Sequence, residues 1–338
     1  MGEDVRETVD RRDDPRGVTP WDRAPWRAAA LAWAGSALAA HGLRETGERR
    51  VRLRPWSVLT RISVEDGEPV WFKANPPASA FEAGLTEALS RWAPAHGLRP
   101  LAAVAVDPAR GWSLLPDGGP LFRDVLDAGP ADPRAWEVPL ARYAELQRDL
   151  TPRTAEIEAL GVPAARTAGL PEVFDRLVAA NTALDGDGRR ALRALRPRLA
   201  DWCAELADAG VADCLDHADL HEGQLFAPAP DRFTFFDWGD ASVTHPFCGL
   251  LVPLRAARAR YGPAVLPRLR DAYLEPWGGA GADAAGLRRA ASLALRLGAI
   301  GRAGAWARLF PEAPAAGAGS GAADSARWLR ELLTEPLL

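Results

Sequence analysis

One stretch of the chain, residues 215–226, gathers ionisable side chains between apolar positions. It reads Leu-Asp-His-Ala-Asp-Leu-His-Glu-Gly-Gln-Leu-Phe, so that two imidazoles and three carboxylates fall within seven residues. A turn-forming run follows, and an aromatic segment then ends on Asp237-Trp238-Gly239. This order predicts a polar loop and a hairpin that hold carboxylates near one point, with the rest of the chain as their scaffold.

The composition favours an enzyme or a small-molecule-binding protein. Of the 338 residues 48% are hydrophobic, enough for two lobes, and the net charge of −4 gives no basic face for a nucleic acid. Cys203, Cys214 and Cys248 lack metal-site spacing, which predicts buried thiols in a reducing compartment. The charged first residues contain no apolar signal core, so we expect a cytoplasmic protein. We also expect no contact with a membrane, and either a monomer or a homodimer.

Lysine occurs once in this chain. Lysine and arginine together number 41, and all of them except Lys73 are arginine. A chain so rich in arginine retains lysine most readily where a compact ammonium on a flexible stem is required, and phosphate contact is such a role. Lys73 is therefore a candidate phosphate ligand, with chance retention as the alternative.

The hydrophobic periodicity changes from strands to helices along the chain. Residues 1–20 are polar and predict a flexible tail, and a helical pattern covers Trp21–His41. Alternating apolar residues over 51–64 and 69–74 then predict three antiparallel strands of a small sheet, with Lys73 near the end of the last. A helix follows from about Ala80 to Trp92.

The remainder predicts a hinge and a helical lobe. Residues 101–115 predict a second hairpin, and Pro116-Asp117-Gly118-Gly119 predicts the hinge. Loops are expected at 278–285 and 313–323. Helical patterns cover residues 121–126, 133–150, 171–183, 188–209, 250–261, 264–274, 286–305 and 323–333. The predicted fold is α+β and two-lobed, with a tail over 1–20, an N-lobe over 21–116 and a C-lobe over 117–338.

The spacing of the polar loop matches a phosphoryl-transfer loop. Asp219 precedes Gln224 by the interval that separates aspartate from asparagine in the kinase sequence H-R-D-x-x-x-x-N, and Asp237-Trp238-Gly239 stands in the place of Asp-Phe-Gly. With the upstream strand lysine, these motifs resemble the aminoglycoside phosphotransferase-like family of small-molecule kinases, whose loop reads approximately His-Gly-Asp-Leu-His-x-x-Asn. The resemblance covers about residue 50 to the C-terminus and implies a two-lobed, protein-kinase-like fold.

The resemblance implies a role for each matching residue. Asp219 would orient the acceptor hydroxyl and accept its proton, and Gln224 and Asp237 would hold Mg²⁺. Lys73 would hold the α- and β-phosphates of ATP, with GTP left open as the nucleotide. A helix glutamate is expected to pair with Lys73; we prefer Glu82, with Glu87 as the alternative. Ser57 and Leu115 are expected to contact the nucleotide.

The chain departs from the family pattern at three places. Gln224 replaces the usual asparagine, although kinases resembling maltokinase carry Gly-Gln there. Ala218 replaces a glycine, and no glycine-rich nucleotide loop is visible near Arg54-Pro55-Trp56-Ser57. The remaining polar residues of the region are expected to be structural: His217 bracing the loop, His221 packing in it or lying near phosphate, Asp216 and Glu222 solvated, and Asp240 in a turn or near the metal.

Two other functions stay open at this point. His217, Asp219, His221 and Asp237 would also suit a metallohydrolase that binds zinc or manganese, and such an enzyme would act without ATP. Gln224 would also suit a nucleotide-binding relative that lacks turnover. For the kinase, the acceptor would be a small hydroxyl compound: an aminoglycoside or another antibiotic, a sugar, or an amino alcohol.

Overall fold

The structure is a computed structural model that describes residues 6–11, 20–92, 101–129, 132–278, 283–310 and 321–338. The chain forms two compact units. The first contains the described residues up to Arg91 and from 101 to Gly118, and the second contains Trp92 and the described residues from Gly119 onward. The change of unit after Gly118 falls within the segment where the sequence predicts a hinge.

A six-stranded sheet forms the first unit, together with helices α1 (Ala24–Ala40) and α2 (Phe81–Trp92). The strands, in the order β1-β2-β3-β4-β6-β5, are β1 (Arg6–Arg11), β2 (Glu45–Arg54), β3 (Ser57–Val64), β4 (Val70–Ala74), β5 (Ala105–Asp107) and β6 (Trp112–Pro116). β1 runs parallel to β2 and the other pairs are antiparallel, so the sheet is mixed and larger than the antiparallel sheet that the sequence predicts.

The N-terminal segment differs from the expected tail. Arg6–Arg11 form β1, whose side chains are all exposed, and residues 1–5 and 12–19 lie outside the described residues. Backbone pairing with β2 stabilises this strand without any apolar burial, and an apolar pattern is the signal by which a strand is recognised in a sequence.

Strand β4 lies inside the sheet and presents its side chains to opposite faces. Phe72 packs against Trp33 of α1, with ring centroids 6.0 Å apart, in the core that α1 covers. Because side chains alternate along a strand, Lys73 points to the other face. In the ladder Lys73 pairs with Leu59 of β3 and Ser113 of β6, so neighbouring strands on both sides fix its position.

The second unit is mainly helical and contains two short antiparallel strand pairs. Its strands are β7 (Cys214–Asp216) paired with β10 (Ser242–Thr244), and β8 (Leu225–Ala229) paired with β9 (Arg232–Phe235). Its helices are α3 (Phe122–Ala128), α4 (Glu137–Leu150), α5 (Thr154–Ala159), α6 (Leu170–Ala180), α7 (Gly186–Ala207), α8 (Leu251–Tyr261), α9 (Leu266–Leu274), α10 (Ala284–Leu309) and α11 (Gly321–Glu331).

Most sequence predictions for this unit agree with these elements. The hairpin predicted after the polar loop is β8–β9, and the three cysteines are free and buried. The short helix α5 was not predicted, and parts of the two expected glycine- and alanine-rich loops, 279–282 and 313–320, lie outside the described residues. No helix within the described ranges is long and apolar enough to cross a membrane.

Candidate active site

Lys73 and Glu82 form a buried ion pair in the first unit. The Lys73 Nζ atom lies 2.7 Å from both carboxylate oxygens of Glu82, and the two side chains are only 7% and 5% exposed. Glu82 occupies the first turn of α2, whereas Glu87 pairs with the exposed Arg91. The glutamate that the sequence left open between two positions is therefore Glu82.

Asn75 contacts this pair directly and Gly111 lies nearby, and neither residue was predicted from the sequence. The amide of Asn75 donates hydrogen bonds to the Glu82 carboxylate and to the Ser79 carbonyl. Gly111 has φ +66°, and a Cβ there would lie 2.9 Å from Ala80 Cα. Glycine thus allows the β5–β6 turn to approach the start of α2.

The two other cofactor contacts expected in this unit lie on strands. Ser57 is buried and begins β3, directly after the two-residue turn that follows Arg54. Leu115 is partly exposed in β6, opposite Trp71 of β4. The β2–β3 connection is therefore a tight hairpin turn. It agrees with the sequence, in which no glycine-rich loop is visible at this position.

A buried polar network supports the loop that carries Asp219 in the second unit. The Tyr143 hydroxyl lies 2.9 Å from Asp216 Oδ1, and it accepts a hydrogen bond from the His217 backbone N–H. Gln147 donates to the Leu215 carbonyl. Asp216 is thus buried, which corrects the expectation of a solvated side chain, and burial raises its pKa to about 6. A Cβ at residue 249 would lie 2.6 Å from Asp216 Oδ1, so Gly249 makes room for this network.

His217 braces the loop, as the sequence predicts. Its Nε2 atom lies 2.8 Å from the Phe236 carbonyl, to which it donates, and its Nδ1 atom accepts the Asp219 backbone N–H. Burial lowers the pKa of His217 to about 4, so the ring is neutral at pH 7. Between these two residues, Ala218 has φ +62°, a conformation that favours glycine. A left-handed backbone at this position agrees with the glycine that the resembling kinases have there.

Asp219 is partly buried and lies beside a buried guanidinium. Its Oδ1 atom is 3.0 Å from Arg302 Nη2, and its side chain is 26% exposed. Burial raises the pKa of Asp219, Asp240 and Asp237 raise it further, and Arg302 opposes the shift. Arg302 also binds Asp240, whose role is therefore an ion pair rather than a turn alone. Arg302 was not predictable from the sequence, because one arginine among many on a long helix forms no recognisable pattern.

The β8–β9 hairpin places the backbones of Gln224 and Asp237 at the same end of its ladder. Leu225 pairs with Phe235, and the Phe236 N–H donates to the Gln224 carbonyl, which extends the ladder to the residue next to Asp237. Asp237 itself has φ +65°, an unusual backbone conformation for a residue with a side chain. A carboxylate and an amide oxygen are hard donors of the kind that Mg²⁺ prefers, so the chemistry of these two side chains suits a magnesium ion.

His221 packs within the same loop. Its Nδ1 atom accepts the Gly223 N–H at 2.9 Å and lies 3.5 Å from Arg123. A Cβ at residue 223 would lie 2.7 Å from the Arg123 guanidinium, so the glycine lets that cation approach the loop. Glu222, 3.7 Å from Arg123, takes part in this contact and is not an isolated solvated side chain.

The hydrogen bonds of the two imidazoles disfavour the metallohydrolase alternative. Both ring nitrogens of His217 are engaged by the backbone. Nδ1 of His221 accepts the Gly223 N–H, which leaves the proton of the neutral ring on Nε2, whereas a zinc ligand needs a ring nitrogen with a free lone pair. Within the described parts of the chain, no group of three or more His, Cys, Asp or Glu side chains is arranged to hold a metal ion. His217, Asp219, His221 and Asp237 thus form no such cluster.

A cavity of about 400 Å³ opens beside Asp219 within the second unit. Helices α8 and α11 supply its other walls. The lining residues are Asp219, Val252, Arg255, Ala256, Arg327, Trp328 and Glu331. Two carboxylates and two guanidinium groups therefore balance each other on its surface. Arg255 lies 2.5 Å from Glu331 and stacks 4.6 Å above the ring of Trp328.

Comparison with known proteins identifies the fold. No family model and no curated protein matches the sequence. An ethanolamine kinase from Plasmodium vivax is similar in structure with a TM-score of 0.59 and 10% identity over 94% of this chain and 89% of the other. A macrolide 2′-phosphotransferase from Brachybacterium faecium is similar with a TM-score of 0.54 and 18% identity over 90% of this chain and 98% of the other.

An aminoglycoside phosphotransferase solved with GDP and kanamycin is also similar, with a TM-score of 0.52 and 15% identity over 81% of this chain and 91% of the other. At such low identities the similarity concerns the fold. The motifs of the polar loop and the strand lysine had predicted the same group of proteins. The chain therefore has the two-unit α+β fold of the aminoglycoside phosphotransferase-like small-molecule kinases.

Proposed function

We propose that this protein transfers the γ-phosphoryl group of ATP to a hydroxyl of a small molecule, with Mg²⁺ as the metal. The observation that carries the proposal is the position of Asp219, a partly buried carboxylate on the rim of a cavity, in a loop with kinase spacing. The names of three solved proteins with a similar fold point to small-molecule substrates: a kanamycin complex, an ethanolamine kinase and a macrolide 2′-phosphotransferase.

Asp219 is the proposed catalytic residue. It orients the acceptor hydroxyl and accepts its proton as the acceptor oxygen bonds to the γ-phosphorus, while the bond from that phosphorus to the bridging oxygen breaks and ADP leaves. The raised pKa of Asp219 makes the carboxylate a stronger proton acceptor than an exposed aspartate. The cavity lined by α8 and α11 holds the acceptor in this proposal.

The remaining residues bind and orient the nucleotide. Lys73 holds the α- and β-phosphates, and Glu82 and Asn75 fix the direction of its ammonium. In this proposal Ser57 and Leu115 also contact the nucleotide. Gln224 and Asp237 hold the magnesium ion, which supplies neutralisation of phosphate charge when it is bound.

A screen for ADP release tests the proposal. Purified protein and ATP are incubated with hydroxylated metabolites and antibiotics, with and without Mg²⁺, and ADP is measured by a coupled assay. We expect magnesium-dependent ADP release that increases with at least one acceptor and yields a phosphorylated product by mass spectrometry. Hydrolysis of a panel of esters and amides without ATP, together with silence across the acceptors, would favour the metallohydrolase instead.

A further inference from the structure

Arg302 of α10 is a buried cation at the candidate catalytic loop. It is 6% exposed, and only Lys73 joins it among the buried cations of the described residues. Taking a guanidinium out of water costs several kcal/mol unless carboxylates and hydrogen bonds compensate. A buried arginine that contacts the proposed catalytic residue therefore requires an explanation beyond ordinary packing.

The guanidinium connects three parts of the loop region. Its Nη2 atom lies 3.0 Å from Asp219 Oδ1, and its Nη1 atom donates to Asp240 Oδ2 at 2.6 Å and to the Ala218 carbonyl at 3.2 Å. The ring of Trp328, which lines the cavity, lies 5.6 Å from the guanidinium carbon. The planar fork thus fixes both the carboxylate of Asp219 and the backbone of the residue before it.

The Ala218 contact has a second consequence. A non-glycine residue at φ +62° is held there by its surroundings, because the left-handed conformation brings the Cβ of an L-residue too close to the following carbonyl oxygen. The hydrogen bond from Arg302 to the Ala218 carbonyl is one of the contacts that hold it. Loss of the guanidinium would therefore release both the side chain of Asp219 and the backbone turn that aims it.

We infer that Arg302 is a positioning residue for phosphoryl transfer. It engages Oδ1 of Asp219, so that Oδ2 is the oxygen that receives the acceptor proton, and Asp240 serves as its counter-ion. This inference rests on the proposed function, since it acts through Asp219. A purely structural ion pair would stabilise the fold equally well but would leave turnover unchanged in any variant that still folds.

Variants of Arg302 test the inference in the full-length protein. Arg302→Met is expected to lower kcat for ADP release about 10- to 100-fold, because the carboxylate loses its fixed orientation. The KM for magnesium-ATP is expected to stay within about twofold, since no nucleotide contact changes. Arg302→Lys keeps the charge but lacks the fork, so its kcat is expected to lie between those of Arg302→Met and the wild type.

Arg289 offers a matched control on the same helix. It forms a comparable pair with Glu205 at 2.6 Å, but both side chains are largely exposed, at 61% and 45%. Arg289→Gln is expected to leave kcat and KM unchanged. A kcat of Arg302→Met or Arg302→Lys equal to that of Arg289→Gln, in folded protein, would overturn the inference. If Arg302→Met does not fold, Arg302→Lys and Arg302→Gln give the same comparison.

A double-mutant cycle separates positioning from a general structural role. If Arg302 acts through Asp219, adding Arg302→Lys to Asp219→Asn lowers the residual kcat no further. An additional loss of the same size as in the single variant would contradict the inference. Failure of the proposed function is distinct from both outcomes, because the wild-type protein would then neither bind magnesium-ATP nor release ADP, and the inference would fall with it.

Discussion

The single lysine of the chain, Lys73, lies 2.7 Å from both carboxylate oxygens of Glu82, and both side chains are almost fully buried. A buried ion pair is weak evidence for stability, because desolvation offsets most of the attraction between the charges. An apolar pair of similar volume would serve the core as well. In the proposed function this pair, together with Asn75 on the same carboxylate, orients the ammonium of Lys73 toward the nucleotide.

Replacement of the lysine by arginine tests this explanation. Lys73→Arg keeps the charge, but the larger planar fork cannot reproduce the two contacts that the compact ammonium makes with Glu82 while it also binds phosphate. We expect the KM for ATP to rise and kcat to fall, each about tenfold. The control is Arg50→Lys on β2, whose pair with Glu48 is exposed. Unchanged kinetic constants in Lys73→Arg would remove the residue from nucleotide binding.

The backbone at Ala218 predicts a stabilising substitution. Glycine adopts φ +62° without the steric cost that alanine bears, although the unfolded chain gains entropy. Ala218→Gly is therefore expected to raise the free energy of unfolding by about 0.5–1 kcal/mol. Ala241, also buried but at φ −54°, provides the control, and Ala241→Gly is expected to destabilise by about 1 kcal/mol. Equal losses for both variants in urea unfolding would contradict the prediction.

His245 predicts a loss of stability in acid. Its Nδ1 atom accepts the Phe247 N–H and burial lowers the pKa of the ring to about 3. The unfolded chain binds a proton below about pH 6.5 while the folded protein does not, so the stabilising contribution is complete above that pH and is lost as the pH falls toward 3. At pH 5 the loss amounts to about 2 kcal/mol.

The substitution His245→Asn isolates this contribution. Asparagine keeps an acceptor for the Phe247 N–H but does not titrate. The difference in unfolding free energy between pH 8 and pH 5 is expected to be about 2 kcal/mol smaller in the variant than in the wild type. The other titrating groups cancel in this comparison. The same pH dependence in both proteins would show that His245 is protonated in the folded state.

The charges of the cavity predict which acceptors it favours. Its two carboxylates, Asp219 and Glu331, lie 3.0 and 2.5 Å from Arg302 and Arg255, so each already has a guanidinium partner that weakens its attraction for a cationic acceptor. We compare a neutral sugar with an amino sugar of equal size. The ammonium group is expected to raise kcat/KM by no more than about threefold over the neutral compound. A gain of tenfold or more would indicate an aminoglycoside-like acceptor.

Local motifs made much of this molecule predictable. The interval from Asp219 to Gln224 indicated a phosphoryl-transfer loop, and the single lysine indicated a candidate phosphate ligand. The periods of the apolar residues distinguished the strand-rich part of the chain from the helical part. The roles of Asp216 and Arg302 were not predictable, because burial depends on elements far apart in the chain: Tyr143 covers Asp216, and α10 brings Arg302 to Asp219. Strand β1 was missed because its pairing involves the backbone and no apolar side chain.

Phosphoryl transfer through Asp219 is tested most directly by comparing the wild type with Asp219→Asn. Magnesium-dependent ADP release is measured for both proteins with the best acceptor, and magnesium-ADP binding is measured by calorimetry. We expect Asp219→Asn to bind the nucleotide as tightly as the wild type and to lose kcat by about 100-fold or more, because the amide cannot accept the proton. Turnover equal to that of the wild type in the folded variant would contradict the account.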